Sequence, residues 1–288
     1  MIAVTGAAGN VGSKVADLLL DDDQPVRAME HRRPLEVLAR RGAEIVTGDL
    51  ADPGDLGLVL KDAQAALVLL PDVVTDPAFT ATRSRMARAI AEAIGRSRVG
   101  HVVVLSTLDA GREDAAGPAA GLRELEQLLA GLPDRDVLVL RSPFYMENLL
   151  VGVPLIRSQG VNGSAVDPDL PLPMIATRDV AAEAAERLRH RDFTGHGIRV
   201  LVGPEDVSLR AATLALGRRL GLGEVPYVQF PPADVTGALA GAGLSQDAAA
   251  AMVDLQIGLN ARGSFADVRL AADVVGPTRL ERFLEGVA

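Results

Sequence analysis

The chain of 288 residues is 48% hydrophobic and 23% charged, with a net charge of −9 and a pI near 5.0; this is a globular composition long enough for a large core, and its acidity, with no basic stripe to offset it, argues against a nucleic-acid partner. Cysteine is absent, and His31, His101, His190 and His196 make no i, i+4 pair, so disulfides and thiolate chemistry are excluded and no metal is expected. No apolar run approaches the ~20 residues of a membrane span, and no signal-like segment follows Met1, so the expectation is a soluble cytoplasmic protein with no membrane partner.

In chain order, short apolar runs alternate with helical segments. Strands are predicted at Ile2–Thr5, Pro25–Glu30, Ala43–Thr47, Ala65–Leu69, His101–Leu105 and Val137–Leu140. Between them lie helices at Asn10–Leu20, Pro34–Arg41, a segment opened by Asp52-Pro53, Asp76–Arg96 and Gly121–Ala130. Such alternation predicts an α/β fold, a Rossmann-type doubly wound parallel sheet whose apolar strands are covered on both faces. After Arg141 the rhythm changes. Ser142-Pro143 reads as an N-cap and N1 pair opening a helix to about Arg157, and 160–173 as loop. A helix capped by Thr177 runs to His190, a strand covers Ile198–Val202, and Ser208 caps a helix stopping at Gly221. The remainder is small and mostly helical. The division expected is a nucleotide-binding region over 1–151, with 174–203 packing onto it, and a smaller substrate-binding region over 152–288.

The segment Thr5-Gly6-Ala7-Ala8-Gly9-Asn10-Val11-Gly12 joins the first strand to the first helix. Gly6 permits the tight turn, Gly9 lets backbone approach a pyrophosphate, and Gly12 lets the helix pack closely. The N–H groups of Ala8, Gly9, Asn10 and Val11, with the helix dipole, suit that anion. A glycine triplet alone is weak evidence, but inside a βαβ unit it predicts a dinucleotide. Glu30 ends the second strand, where a carboxylate commonly holds the adenosine ribose, and His31, Arg32 and Arg33 follow it. Glu30 favours NAD(H); the arginines favour a 2′-phosphate. Because basic residues at a helix start are unfavourable without an anion, NADP(H) is expected and NAD(H) is the alternative.

The glycine loop, Val46-Thr47-Gly48-Asp49-Leu50, the block Leu140-Arg141-Ser142-Pro143-Phe144-Tyr145-Met146-Glu147-Asn148-Leu149, Ala176-Thr177-Arg178-Asp179-Val180-Ala181, 221–228 and 277–283 together resemble the NmrA-like branch of the atypical short-chain dehydrogenases/reductases over nearly the whole chain. The resemblance implies a substrate cleft between a Rossmann domain and a small C-terminal region, with Asp49 and Leu50 near the adenine. Members of that branch include quinone, dye and isoflavone-type reductases and non-catalytic redox sensors that bind regulatory proteins.

Typical short-chain reductases use a Tyr-x-x-x-Lys dyad, the lysine lowering the tyrosine pKa for proton transfer. This chain has only Lys14 and Lys61, and only Tyr145 and Tyr227, so no such pair exists. If Glu126 marks the family's acidic position, Pro118 and Leu122 stand at the dyad sites. The expected function is therefore NADP(H)-dependent hydride transfer to a quinone-like or aromatic carbonyl compound; the alternative is a non-catalytic NAD(P)-binding sensor. Tyr145 is the candidate for substrate contact or proton donation, with first-turn packing as its alternative. Phe144 is expected over the nicotinamide, and Asn148 against substrate or in local hydrogen bonding. Ser106 and Thr107 end a strand where hydroxyls meet nicotinamide or substrate, Ser106 as a cofactor contact and Thr107 as a catalytic candidate beside Tyr145; the alternative is that they cap the next loop. Leu70-Pro71 is expected to border the ribose by backbone. His196 reads as a surface turn, and Arg83, Arg85 and Arg88 as a solvated helix face. Composition leaves room for a homodimer.

Overall fold

A computed structural model describes residues 1–31 and 33–287 of the chain. Eight strands form one parallel sheet: β1 Ile2–Val4, β2 Val26–Glu30, β3 Glu44–Thr47, β4 Ala65–Val68, β5 His101–Thr107, β6 Asp136–Ser142, β8 His196–Val202 and β10 Val274–Val275. Two further strands, β7 Asn162–Ser164 and β9 Tyr227–Gln229, pair separately. The helices are α1 Gly12–Asp21, α2 Glu36–Arg40, α3 Pro53–Leu60, α4 Phe79–Arg96, α5 Pro118–Ala130, α6 Val153–Gln159, α7 Thr177–His190, α8 Leu209–Arg219, α9 Pro232–Gly241, α10 Gln246–Arg262, α11 Ala266–Leu270 and α12 Leu280–Leu284.

Strand order is β10-β8-β6-β5-β4-β1-β2-β3. The order reverses between β1 and β4, the position where open α/β sheets bind ligands beyond the strands' carboxyl ends. Central strands such as β4, Ala-Ala-Leu-Val, are buried at every position because helices cover both faces. One face carries Val4, Val15, Leu19, Leu38, Leu105, Leu140, Ala184 and Leu188, from the sheet and from α1, α2 and α7. The other carries Val59, Leu60, Ile90, Ile94, Val102, Val104, Leu125 and Leu129, with α3, α4 and α5. A third core, including Met146, Leu149, Met174, Leu216, Tyr227, Phe265 and Leu284, holds the C-terminal region together. Asp52 caps α3, accepting from Gly54 N at 2.7 Å, with Pro53 in the first turn. Ser208 caps α8 through Ala211 N. Both caps agree with the sequence reading.

Four expectations need correction. Ser142 does not cap a helix: it is the last residue of β6, in register with Thr107. The following residues stay extended, with Tyr145 bridging Ile175. Only then come a 3-10 turn at Met146–Gly152 and the short α6. The pairing with 174–176 captures backbone that a helix would have used. Thr177 is the first residue of α7 rather than its cap; Ala176 holds that position, and the buried Thr177 hydroxyl donates to Glu147. His196 opens β8 rather than standing in a turn. The segment 160–173 contains β7, and β10 lies in a stretch too short and polar to signal a strand.

Candidate active site

The glycine loop sits at the switch point. Gly6 has φ +63°, and a Cβ there would lie 2.5 Å from Leu69 Cδ2, in the segment leaving β4. A Cβ on Gly12 would be driven into the Gly6 carbonyl; the helix thus packs against its own loop, a closer constraint than the sheet contact the sequence suggests. Gly9 N donates to Gly6 O at 2.9 Å, closing the turn. Val11 is buried in the core, while Ala8, Gly9 and Asn10 face solvent. A Cβ on Gly9 would find only Gly6 O, at 3.2 Å, so the loop is an open cradle that a side chain would fill. No acidic residue stands in the first turn of α1, and Lys14 Nζ donates to Asn10 O at 2.7 Å beside it. This donor set and cradle fit a pyrophosphate.

At the β2 end, Glu30 is not a free carboxylate: its Oε2 accepts from Leu35 N at 2.7 Å and ties down the turn into α2. His31 Nδ1 lies 3.0 Å from Gly48 O, and Arg33 is exposed. Arg32 lies outside the described residues. After β3, Gly48 is required by its neighbours, since a Cβ would meet Asp55 and Met29 at 2.8 Å. Asp49 Oδ1 accepts from Ala51 N, and Asp49 N donates to Asp55 Oδ2, both at 2.9 Å. Leu50 is buried in the core.

At the β4 end, Leu70 is buried and Pro71 half-buried. Their carbonyls are held by Arg83 Nη1, at 3.2 and 2.8 Å, and Arg83 Nη2 reaches Pro118 O at 2.9 Å. Arg83 is 2% exposed, which corrects its reading as part of a solvated face; Arg85 and Arg88 are exposed as expected. The sequence did hold the signal: Arg83 lies on the stripe Phe79, Arg83, Met86, Ile90, Ile94 that α4 buries.

At the β5 and β6 ends, the Ser106 hydroxyl is buried and donates to Glu126 Oε1 at 2.5 Å. Arg141 closes on the same carboxylate at 3.2 and 2.6 Å. Ser106 is thereby turned toward α5, and its hydroxyl is committed there. Thr107, half-buried, begins the next turn without a side-chain cap bond. Ser142 Oγ lies 3.1 Å from Ser106 O and 2.8 Å from Tyr145 Oη. The Ser142 hydroxyl is placed to donate to Ser106 O or to Tyr145 Oη, and its one proton serves one of them at a time. Desolvation pushes the Tyr145 phenol above its ordinary pKa; the Ser142 bond pulls it down, and the Glu147 and Asp72 carboxylates push it further up. Phe144 packs on the third core. In the Met-Glu-Asn block, Met146 is buried, Glu147 accepts from Thr177 N at 3.0 Å at the α7 N-terminus, and Asn148 is exposed. The structure thus brings the loop, Leu70-Pro71, Thr107, Tyr145 and Asn148 to one edge of the sheet. Ser106 joins that edge by backbone alone. Among the described residues no group of side chains is suited to hold a metal ion, and no helix is long and apolar enough to cross a membrane.

Residues 6–136 match the NAD(P)H-binding family. The (4-alkanoyl-5-oxo-2,5-dihydrofuran-3-yl)methyl phosphate reductase of Streptomyces griseus is 36% identical over 225 residues, 77% of this chain and 74% of that protein. Quinone oxidoreductase 2 of Escherichia coli is 27% identical over 283 residues, 96% of this chain and 94% of its own length. The crystal structure of the NADPH-dependent quinone oxidoreductase QOR2 from that organism, complexed with NADPH, superposes with a TM-score of 0.81 at 25% identity, covering 99% of each chain. The fold is shared further with NmrA, a negative transcriptional regulator solved with NADP, at 17% identity and a TM-score of 0.68 over 99% of this chain and 94% of that one.

Proposed function

The chain belongs to the NmrA-like family of NAD(P)H-binding atypical short-chain dehydrogenases/reductases, and from that premise we propose that it reduces activated, electron-poor acceptors, quinones or quinone-like aromatic carbonyl compounds, with NADPH. Its standing as an NAD(P)H-dependent reductase follows from relatives that are themselves reductases. The observation that carries the acceptor class is what stands at the cleft. A dinucleotide cradle opens at the switch point, yet the sequence has no Tyr-x-x-x-Lys, and the tyrosine at this edge is held protonated by desolvation.

When bound, the cofactor supplies a hydride. The residues' part is to place the acceptor and to meet the charge that arrives with it. A simple ketone needs a proton as its oxygen becomes an alkoxide, and a phenol whose pKa burial raises is a poor acid for that task. A quinone spreads the charge over its ring and needs no matched acid. The Streptomyces relative supports the same class, since the ring in its named substrate is an unsaturated 5-oxo-dihydrofuran bearing an alkanoyl group. Asn148, exposed at the same edge, is the polar side chain free to orient an acceptor.

NADPH over NADH rests on two observations. One oxygen of Glu30 is engaged by the Leu35 N–H, which leaves less of the carboxylate for a ribose hydroxyl. Arg33 beside it is exposed, with guanidinium geometry suited to a phosphate. The E. coli relative's NADPH complex supports the same choice. Mixing protein, NADPH and a quinone panel and following the loss of reduced-nicotinamide absorbance tests the proposal. Turnover supports it; tight NADPH binding with no turnover of any acceptor would assign the chain to the sensor role instead.

A further inference from the structure

An arginine on the buried stripe of a helix is costly unless its donors are satisfied and its charge is met. Arg83 meets most of that cost through two chain segments, 70–72 and Pro118, while its buried Nε has no hydrogen-bond partner among the described residues. Nη1 donates to Leu70 O, to Pro71 O and, at 2.5 Å, to Asp72 Oδ1. Nη2 donates to Pro118 O in the first turn of α5. The guanidinium also lies 5.4 Å from the Phe79 ring centroid. Against this set, burial pulls its pKa down and Asp72 holds it up. A planar fork with five donors can span two backbone segments at once; an ammonium cannot reproduce that geometry.

The segments joined in this way have a common position. Leu69 abuts Gly6 of the cradle, and Leu70 and Pro71 continue from it along the carboxyl edge of β4. Pro118 opens the helix that carries the dyad in typical short-chain reductases. Gly121, one turn along, would place a Cβ 3.4 Å from Arg83 Nε. β2 and β3, over which this fold would place the adenosine half of a dinucleotide, lie on the other side of the switch point from these groups.

We propose that Arg83 is a positioning residue for the nicotinamide half of the cofactor, its guanidinium fixing the Leu70-Pro71 carbonyl edge against the first turn of α5. The inference rests on the reductase reading above. It predicts that loss of the guanidinium loosens one half of the cofactor and spares the other, which a general packing role would not do.

The test compares full-length wild type with Arg83→Met and Arg83→Lys. Affinities are measured by calorimetry for NADPH and for 2′,5′-ADP, which carries only the adenosine half. The hydride face is read by turnover of NADPH deuterated at either C4 position. Arg83→Met is expected to bind 2′,5′-ADP within about twofold of wild type and NADPH about tenfold more weakly, with eroded face selectivity and Arg83→Lys in between. Parallel weakening of both ligands, or no change in either, in a folded variant would overturn the inference. If Arg83→Met fails to fold by circular dichroism, Arg83→Lys decides by the same comparison. Wild type that binds neither ligand would overturn the reductase reading itself, and the inference with it.

Discussion

Removing Glu126 should cost stability far more than it costs cofactor binding. Its carboxylate is 9% exposed and accepts three hydrogen bonds, two from Arg141 and one from Ser106. Glu126→Ala leaves the Arg141 guanidinium and the Ser106 hydroxyl without their acceptor. Breaking a buried pair by deleting one partner costs about 3–5 kcal/mol. Arg141 retains 20% side-chain exposure and lines an open cavity with Arg123 and His196, so water reaches it and the lower end, about 3 kcal/mol, is expected. With a urea m-value of ~3 kcal/mol/M, the midpoint should fall by about 1 M. Adding Arg141→Met removes the orphaned charge and should recover at least about 1 kcal/mol, an interaction that a double-mutant cycle isolates. NADPH affinity, measured on the folded variant at low temperature, should change less than threefold, as should that of Ser106→Ala. A midpoint shift below about 0.3 M, or no recovery on adding Arg141→Met, would refute the argument that this pair is a structural strut beside the cleft.

Gly9→Val places a branched side chain in the open cradle and should abolish measurable NADPH binding while the circular dichroism spectrum persists; unchanged affinity by fluorescence titration would remove the dinucleotide from this loop. Arg32→Ala combined with Arg33→Ala should weaken NADPH about tenfold or more and leave NADH nearly untouched, whereas tighter binding of NADH by the wild type would return Glu30 to the ribose. Tyr145→Phe should lower quinone turnover by less than tenfold; a loss of ~10²–10⁴-fold with cofactor binding intact would make Tyr145 the acid. Tyr227 is pushed up to about 12 by burial, against the pull of Ser164. A folded-state pKa above the unfolded value near 10 means that its contribution is complete below pH ~10 and is lost as pH rises toward 12. Tm should therefore fall between pH 10 and 11, and less steeply in Tyr227→Phe; equal slopes would contradict the shift.

The parallel sheet, all its strands but β10, and the glycine loop were legible because each rests on local chemistry: an apolar run covered on both faces, glycines where a turn closes on itself, and Asp52-Pro53 at a helix start. What escaped depends on partners distant in sequence. Ser142-Pro143 carries the chemistry of a helix cap, but the 174–176 segment claims the next residues as a bridge. Thr177 reads as a cap until Glu147, 30 residues earlier, takes its hydroxyl and amide. Ser106 looks like a cleft hydroxyl until Glu126, itself held by Arg141, accepts its hydrogen bond. Arg83 lay in plain view on a buried helical stripe; charge alone suggested solvent, and the period of the surrounding apolar residues was the better guide. Glu30 and the arginines after it gave opposed signals for the cofactor, and the Leu35 amide takes one oxygen of the carboxylate.

The central claim is the proposal that this cleft passes hydride to acceptors that tolerate negative charge, argued from a sequence with no Tyr-x-x-x-Lys pair. The most direct measurement is the ratio of kcat/KM for a quinone to that for a saturated aliphatic ketone of similar size, with NADPH and wild-type protein. A positioned acid contributes ~10²–10⁴-fold, so the quinone should be favoured by at least about a hundredfold. Comparable turnover of the plain ketone would contradict the account.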